Sequence, residues 1–530
     1  MKRTMAAAVA LLFAACSNSS KSGHGSSNGG GSTSAGGGGG TSTSAGPGTI
    51  NVIAPGLPPG VVGGFSGAAP GTSGLTLVYP NSGAIIPHDL APIDVQWNGS
   101  APVYRVTFAV DTGDVLNGFV TTTDWTPDTT NWQWLLDRAA GHQISLSVEG
   151  ATVDASGNPS GAVLGSSAQP LAVAHDDATG ALFYFATTGD QLTGDGTLER
   201  LPLGAQTADK YLNKTNDGGR CVGCHTLTRD GTRVAFDFLD LTGIATGGTM
   251  TLGSVDATNP TAQQATAGTP AANSSFSPDG KQLITSYAGQ LQLRDGVTGA
   301  LVAAVPTSAG AMYPDWSPDG SRIVFVRPST SCTATPPDFG QASIFVYGGS
   351  LVTMTAANGN FTNETVLLQA ATGENNYYPT WSPDGAYVAF TRAQATTKSS
   401  WALGNTSCLG QDGSGLSYDN LSATLWMMPS NGGAPVQLSA ADQGPMLTNS
   451  WPKWSPETNG DYLWLSFSST RPYGNVLTGI NAHHQIWITA VSRTTTSDPS
   501  APAVLFPFQD TTTKNHIGIW SLVVGGYQIP

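Results

Sequence analysis

A short phrase repeated along the second half of the chain constrains the fold more than any other feature. It reads Phe276-Ser277-Pro278-Asp279-Gly280, then Trp316-Ser317-Pro318-Asp319-Gly320, then Trp381-Ser382-Pro383-Asp384-Gly385. A decayed copy is Trp454-Ser455-Pro456-Glu457, and a fainter one is Leu227-Thr228-Arg229-Asp230-Gly231. Pro fixes φ, Asp bonds its own backbone and Gly accepts a positive φ, so each phrase punctuates a turn. An apolar run follows each copy, such as Ile323-Val324-Phe325-Val326 and Tyr387-Val388-Ala389-Phe390. Each phrase therefore ends one strand and opens the next. Third strands are expected at Ser343–Val346 and Gln485–Ile488. Units of four short strands at this spacing are the blades of a β-propeller.

The anchors fall at Leu227, Phe276, Trp316, Trp381 and Trp454, with a sixth at Trp520 shortly before the chain ends. One strand does not make a blade. The strands missing from the last unit are expected before the first repeat, at Ala181–Phe185 and Thr197–Leu201. The expectation is five blades in sequence and one composite blade that closes the ring and removes its free edges. The pattern resembles the TolB-type six-bladed propeller repeat over residues 176–530, a likeness that implies fold and not activity.

Residues 48–175 read differently. Alternating strands at Thr76–Tyr79, Ile93–Trp97, Tyr104–Phe108 and Ile144–Val148 suggest an immunoglobulin- or fibronectin-like β-sandwich. The fold class is thus all-β, a sandwich followed by a propeller.

One motif carries chemistry. Cys221-Val222-Gly223-Cys224-His225 is CxxCH, which resembles the haem-attachment motif of c-type cytochromes. The resemblance implies one covalent haem c, with thioethers from Cys221 and Cys224 and His225 as proximal iron ligand. A redox dithiol would be expected beside a βαβ pattern, and a zinc site needs further ligands at matching spacing. A plain Cys221–Cys224 disulfide would be strained. No helical periodicity surrounds the motif, which is expected in the loop entering the first strand of a blade, so the haem would sit on a propeller face. For the distal position His516 ranks first, because the composite blade adjoins the motif's blade. Met312 ranks second and His483 or His484 third. His516 as a backbone-bonded turn histidine, and Met312 as a packing residue, are the competing readings. Asp190 and Asp195 lie near turns and read as turn residues.

The remaining cysteines of the five are Cys16, Cys332 and Cys408. Cys332 and Cys408 lie in insertions at the same point of neighbouring blades, and an oxidising compartment favours a disulfide between them. Cys16 follows a basic start and an apolar run over residues 5–15, too short to span a bilayer. Leu11-Leu12-Phe13-Ala14-Ala15-Cys16 resembles a bacterial lipobox, which implies lipidation of Cys16 and removal of residues 1–15. Ser17 in place of an acidic residue favours the outer membrane. Residues 16–47 are a Ser/Gly-rich tether with a reach of roughly 30 Å.

Net charge is −14 with no basic stripe, which argues against nucleic acid as a partner. No Ser-His-Asp or paired-carboxylate spacing supports a hydrolase. The expectation is an envelope lipoprotein that transfers electrons or senses redox state through one haem, with a redox or envelope protein as partner. The alternative is a TolB-like protein- or glycan-binding scaffold without a working cofactor.

Overall fold

The computed structural model describes residues 47–187, 196–213, 221–239, 249–254, 264–270, 272–287, 289–329, 348–394, 420–444, 447–478, 483–495 and 497–522. The signal segment, Cys16, most of the tether, Asp190, Asp195, Cys332 and Cys408 lie outside the described residues.

Six four-stranded antiparallel sheets form the C-terminal part. Blade one begins with Cys221–Leu227, blade two with Ala272–Phe276, blade three with Met312–Trp316, blade four with Glu374–Trp381 and blade five with Ser450–Trp454. The sixth sheet is the expected composite. Lys514–Ser521 pairs with Ala181–Thr187, which continues to Gly196–Pro202 and Asp209–Leu212. Each first strand touches the first strand of the next blade, and Lys514–Ser521 touches both Ser450–Trp454 and Cys221–Leu227. The third strand of blade three is Ser350–Ala357, not Ser343–Val346, which lies outside the described residues. Gln485–Ser492 is the third strand of blade five, as expected.

The turn phrase works as a closed hydrogen-bond unit. In blade three, Ser317 Oγ donates to Asp319 Oδ1 at 2.6 Å and accepts from Arg322 N at 2.9 Å. Ser321 N donates to the same carboxylate, and Gly320 sits at φ 72°. Partial burial pushes the Asp319 carboxyl up, but these donors and Arg322 outweigh it and hold it at about 2. The same bonds recur at Ser277–Asp279 and Ser382–Asp384. They also recur in the faint copy, where Thr228 takes the place of Ser.

A second repeated feature is silent in the sequence. The first strand of each blade slips against its partner by a bulge. The slip falls between Val222 and His225, Ala272 and Ser274, Met312 and Asp315, Tyr377 and Thr380, and Ser450 and Lys453. In the composite blade it lies between His516 and Ile519. Three residues before the anchor, Asn273, Tyr313, Tyr378, Trp451 and Ile517 take φ between 45° and 56°. Cys224 holds the equivalent position in blade one.

The N-terminal part is built on a seven-stranded sheet and a three-stranded sheet. Val103–Val110 alternates buried and half-buried residues after its first two positions, the pattern of a half-buried strand. The pairing is not uniformly antiparallel. Thr49–Ile53 runs parallel to Val115–Val120, and Gln169–Val173 runs parallel to Ile85–Ile86. A helix, Thr129–Ala139, is absent from the sequence reading. Asp128 caps it by accepting from Asn131 N, and Trp132, Leu135, Leu136 and Ala139 form its buried face.

This part packs against the C-terminal sheets. One apolar core runs from Trp97, Phe108 and Leu146 into Leu182, Trp464, Ile488 and Trp520 of blades five and six. Leu505 N donates to Tyr79 Oη at 3.0 Å, and Asn475 N donates to Gln96 Oε1 at 2.6 Å. Ser455, from the decayed repeat in blade five, donates to Ala178 O at 3.0 Å instead of closing a turn on an aspartate.

Candidate functional site

The CxxCH motif is itself the first strand of blade one, not a loop entering it. Cys221 pairs with Leu239 and His225 with Phe236. The side chains of Cys221 and Cys224 lie outside the described residues. His225 is buried, 5% exposed. Its Nε2 lies 3.2 Å from the Phe183 carbonyl oxygen, so Nε2 carries the proton and donates across to the composite blade. Nδ1, left with a bare lone pair, is buried with no hydrogen-bond partner among the described residues. Burial pushes the imidazole down to about 4, Lys453 adds to this, and the backbone at Phe183 and Ile517 partly offsets it.

A haem c would place one demand on His225. An axial histidine must present an unprotonated nitrogen to iron, and Nε2 is committed to Phe183. As placed, His225 does not fit an Nε2-bound iron.

The distal candidates separate. His516 is 2% exposed on Lys514–Ser521, the strand that touches the motif strand. Its ring centroid lies 4.3 Å from that of His484, which is also buried. Burial holds His516 well below the ordinary histidine range, and the neighbouring His484 and Lys514 add to the effect. His483 is only half-buried. Met312 belongs to blade three, separated from the motif by blade two, and packs in an apolar cluster with Val326 and Tyr377. Among the described residues no group of three or more metal-ligating side chains occurs.

A second site was not anticipated. The residue before each anchor is Thr226, Ser275, Asp315, Thr380, Lys453 or Ile519. One cavity of about 80 Å³ is lined by these six residues together with Arg229 and the turn residues Pro383, Ser455 and Pro456. It lies where all six first strands meet. Asp315 joins neighbouring blades: Oδ1 accepts from Ser275 Oγ at 2.9 Å and Oδ2 from Trp381 N at 2.8 Å. Blades five and six are joined by Ser466 Oγ, which donates to Gly518 O and accepts from Trp520 Nε1. The side chains of Arg229 and Lys453 make no hydrogen bond or ion pair with a described residue. Burial holds Arg229 below the ordinary guanidinium range, with Asp315 and Asp319 acting against it. Lining up the residue one before each anchor would have found this ring in the sequence.

No family model matches the chain, and no curated protein matches it. Among solved structures it is similar to TolB from Acinetobacter baumannii, with 14% identity and a TM-score of 0.40, over 74% of this chain and 86% of that one. It is similar to hydrazine synthase from Kuenenia stuttgartiensis, with 15% identity and a TM-score of 0.32, over 52% and 70%. A third similar structure is an oligogalacturonate lyase in complex with manganese, with 16% identity and a TM-score of 0.33, over 61% and 73%.

Proposed function

We propose that the chain is a binding module of the bacterial cell envelope, a propeller ring closed by its composite blade that engages a partner at the end where the turn phrases cluster. The observation that carries this reading is the polar lining where the six first strands meet. Five of the six residues preceding the anchors are polar or charged, and they surround a cavity that apolar packing alone would have filled. The lipobox-like start and the tether would hold the body off a membrane by a lipid anchor on Cys16, facing the periplasm or the cell surface.

The test is photo-crosslinking in the native envelope, with the reactive residue placed at Pro383 or Pro456. A discrete adduct from both positions, and none from the exposed Leu301 on the outer strand of blade two, supports the module. No adduct, or the same adduct from Leu301, overturns it.

A second reading keeps the support of one observation, the five-residue CxxCH motif. In it the protein is an electron-transfer or redox-sensing haem protein, with haem c on Cys221 and Cys224. His225 would have to release Phe183, and His516 would lead the distal candidates. A disulfide between Cys332 and Cys408 fits either reading. A reduced pyridine haemochrome spectrum, taken before and after acid–acetone extraction from a host that matures c-type haem, decides it. An α-band that resists extraction supports covalent haem, and none at good yield removes it.

A further inference from the structure

We infer that the cavity where the six first strands meet is a carboxylate-binding site, with the anion held between Arg229 and Lys453. This rests on the binding-module reading for its biological use, but its chemistry stands on the cavity alone.

The argument starts from charge. The chain carries −14 overall, with 21 Lys and Arg against 35 Asp and Glu. In such a protein a basic side chain readily finds an acidic partner. Arg233 instead donates to the carbonyls of Gly296 and Gly280, and Arg322 to the Ser430 carbonyl. Both are thereby bonded. Arg229 and Lys453 line one cavity, and neither makes a hydrogen bond or ion pair with a described residue, although Asp315 and Asp319 are near enough to favour the charge on Arg229. Asp315 lies in the same lining, but its oxygens accept from Ser275 and Trp381 and from neither Arg229 nor Lys453. It contributes charge without closing the site.

The balance of charge selects the ligand. The lining holds two cations and one carboxylate, and Asp319 also acts on Arg229, so the site has little net positive charge to spend and suits a monoanion such as a carboxylate better than a phosphate dianion. The guanidinium presents parallel N–H donors that match a carboxylate, and Lys453 supplies a compact ammonium. Thr226 and Thr380 line the same space. At about 80 Å³ the cavity takes a group the size of a few waters, so the carboxylate end of a ligand enters and the rest stays outside. The carboxylate can belong to a small free acid or to the end of a chain.

The test is isothermal titration of the full-length chain with sodium acetate, inorganic phosphate and acetamide, and with acetyl-trialanine as free acid and as amide. Saturable acetate binding, absent for acetamide, is expected. Arg229→Met and Lys453→Met should each weaken it about tenfold or more, the scale of losing one charge-assisted bond. Arg229→Lys should restore part of it. Unchanged far-UV circular dichroism confirms that the variants fold. Tighter binding of the peptide acid than of acetate assigns a chain terminus, and acetate without the peptide assigns a small free acid. Tighter phosphate than acetate, no saturable binding, or binding unchanged in both Met variants overturns the assignment. Crosslinking from Pro383 that persists when acetate fails to bind leaves the binding module standing and removes only the carboxylate.

Discussion

The imidazole of His225 reaches across from blade one to the carbonyl of Phe183 in the composite blade, Nε2 to oxygen, at 3.2 Å. The histidine of the haem-like motif is thus a tie across the seam between the blade that begins the repeats and the blade that ends them.

The burial of that imidazole makes the fold sensitive to acid, although the bond to Phe183 survives protonation. The unfolded imidazole protonates near 6.5, while burial holds the folded one down to about 4. As pH falls below 6.5 the unfolded chain binds the proton first, so stability drops until about pH 4 and then levels. Between pH 7 and 4.5 the protein should lose about 2–3 kcal/mol more than His225→Gln. Urea denaturation at the two values measures it, and equal losses would remove His225 from the seam.

Closure should be breakable at one glycine. Gly180 takes φ 96°, and a Cβ there would lie 1.9 Å from the carbonyl oxygen of Ser521. Gly180→Ala should push Lys514–Ser521 off its partner strand and cost about 2 kcal/mol or more. Thermal unfolding reads this. A melting temperature unchanged from wild type would mean that the composite pairing is not the closing contact.

The turn phrase should depend on its hydroxyl more than on its proline. Ser317 is buried and both donates to Asp319 and accepts from Arg322 N. Ser317→Ala leaves that amide and carboxylate short of a partner and should cost about 1–2 kcal/mol. Pro318→Ala keeps every one of these bonds and should cost less. Chemical denaturation of the two variants ranks them, and the opposite order would be evidence against the hydrogen-bond account.

A buried charge relay braces blade five against blade four. Arg471 donates to Asn449 Oδ1 at 2.8 Å, and Asn449 Nδ2 donates to Asp442 Oδ1 at 2.5 Å. Burial pushes Arg471 down to about 10, with Asp442 acting against it. Asp442→Asn strands a buried cation and should cost about 3–5 kcal/mol. Asp442→Leu combined with Arg471→Met should recover part of that loss. A double variant no better than the single one would show that packing, not charge, fails.

The blades were legible because their signal is local. Ser, Asp and Gly within five residues make the whole turn, so the order of residues alone dictates it, even where Thr228 replaces Ser. The composite blade was legible by counting, since Trp520 leaves a sheet three strands short and the strands near residues 181 and 197 supply two of them. The N-terminal part was only half legible. Alternation marked its strands, but parallel partners such as Thr49–Ile53 and Val115–Val120 lie far apart in sequence, and the apolar face of Thr129–Ala139 was masked by polar neighbours.

The candidate sites divide along the same line. Sequence by itself determined that two cysteines and a histidine stand within five residues, that six anchors recur, and that charge is strongly negative. Only the tertiary structure decided that His225 spends its Nε2 on a carbonyl 42 residues away in sequence. The same is true of Arg229 and Lys453, which lie more than two hundred residues apart and share a cavity only because five blades bring their strands round to meet. Hydrogen bonds within a turn are fixed by neighbours in the chain, whereas the partner of a buried imidazole or a lone cation is set by the packing of whole sheets.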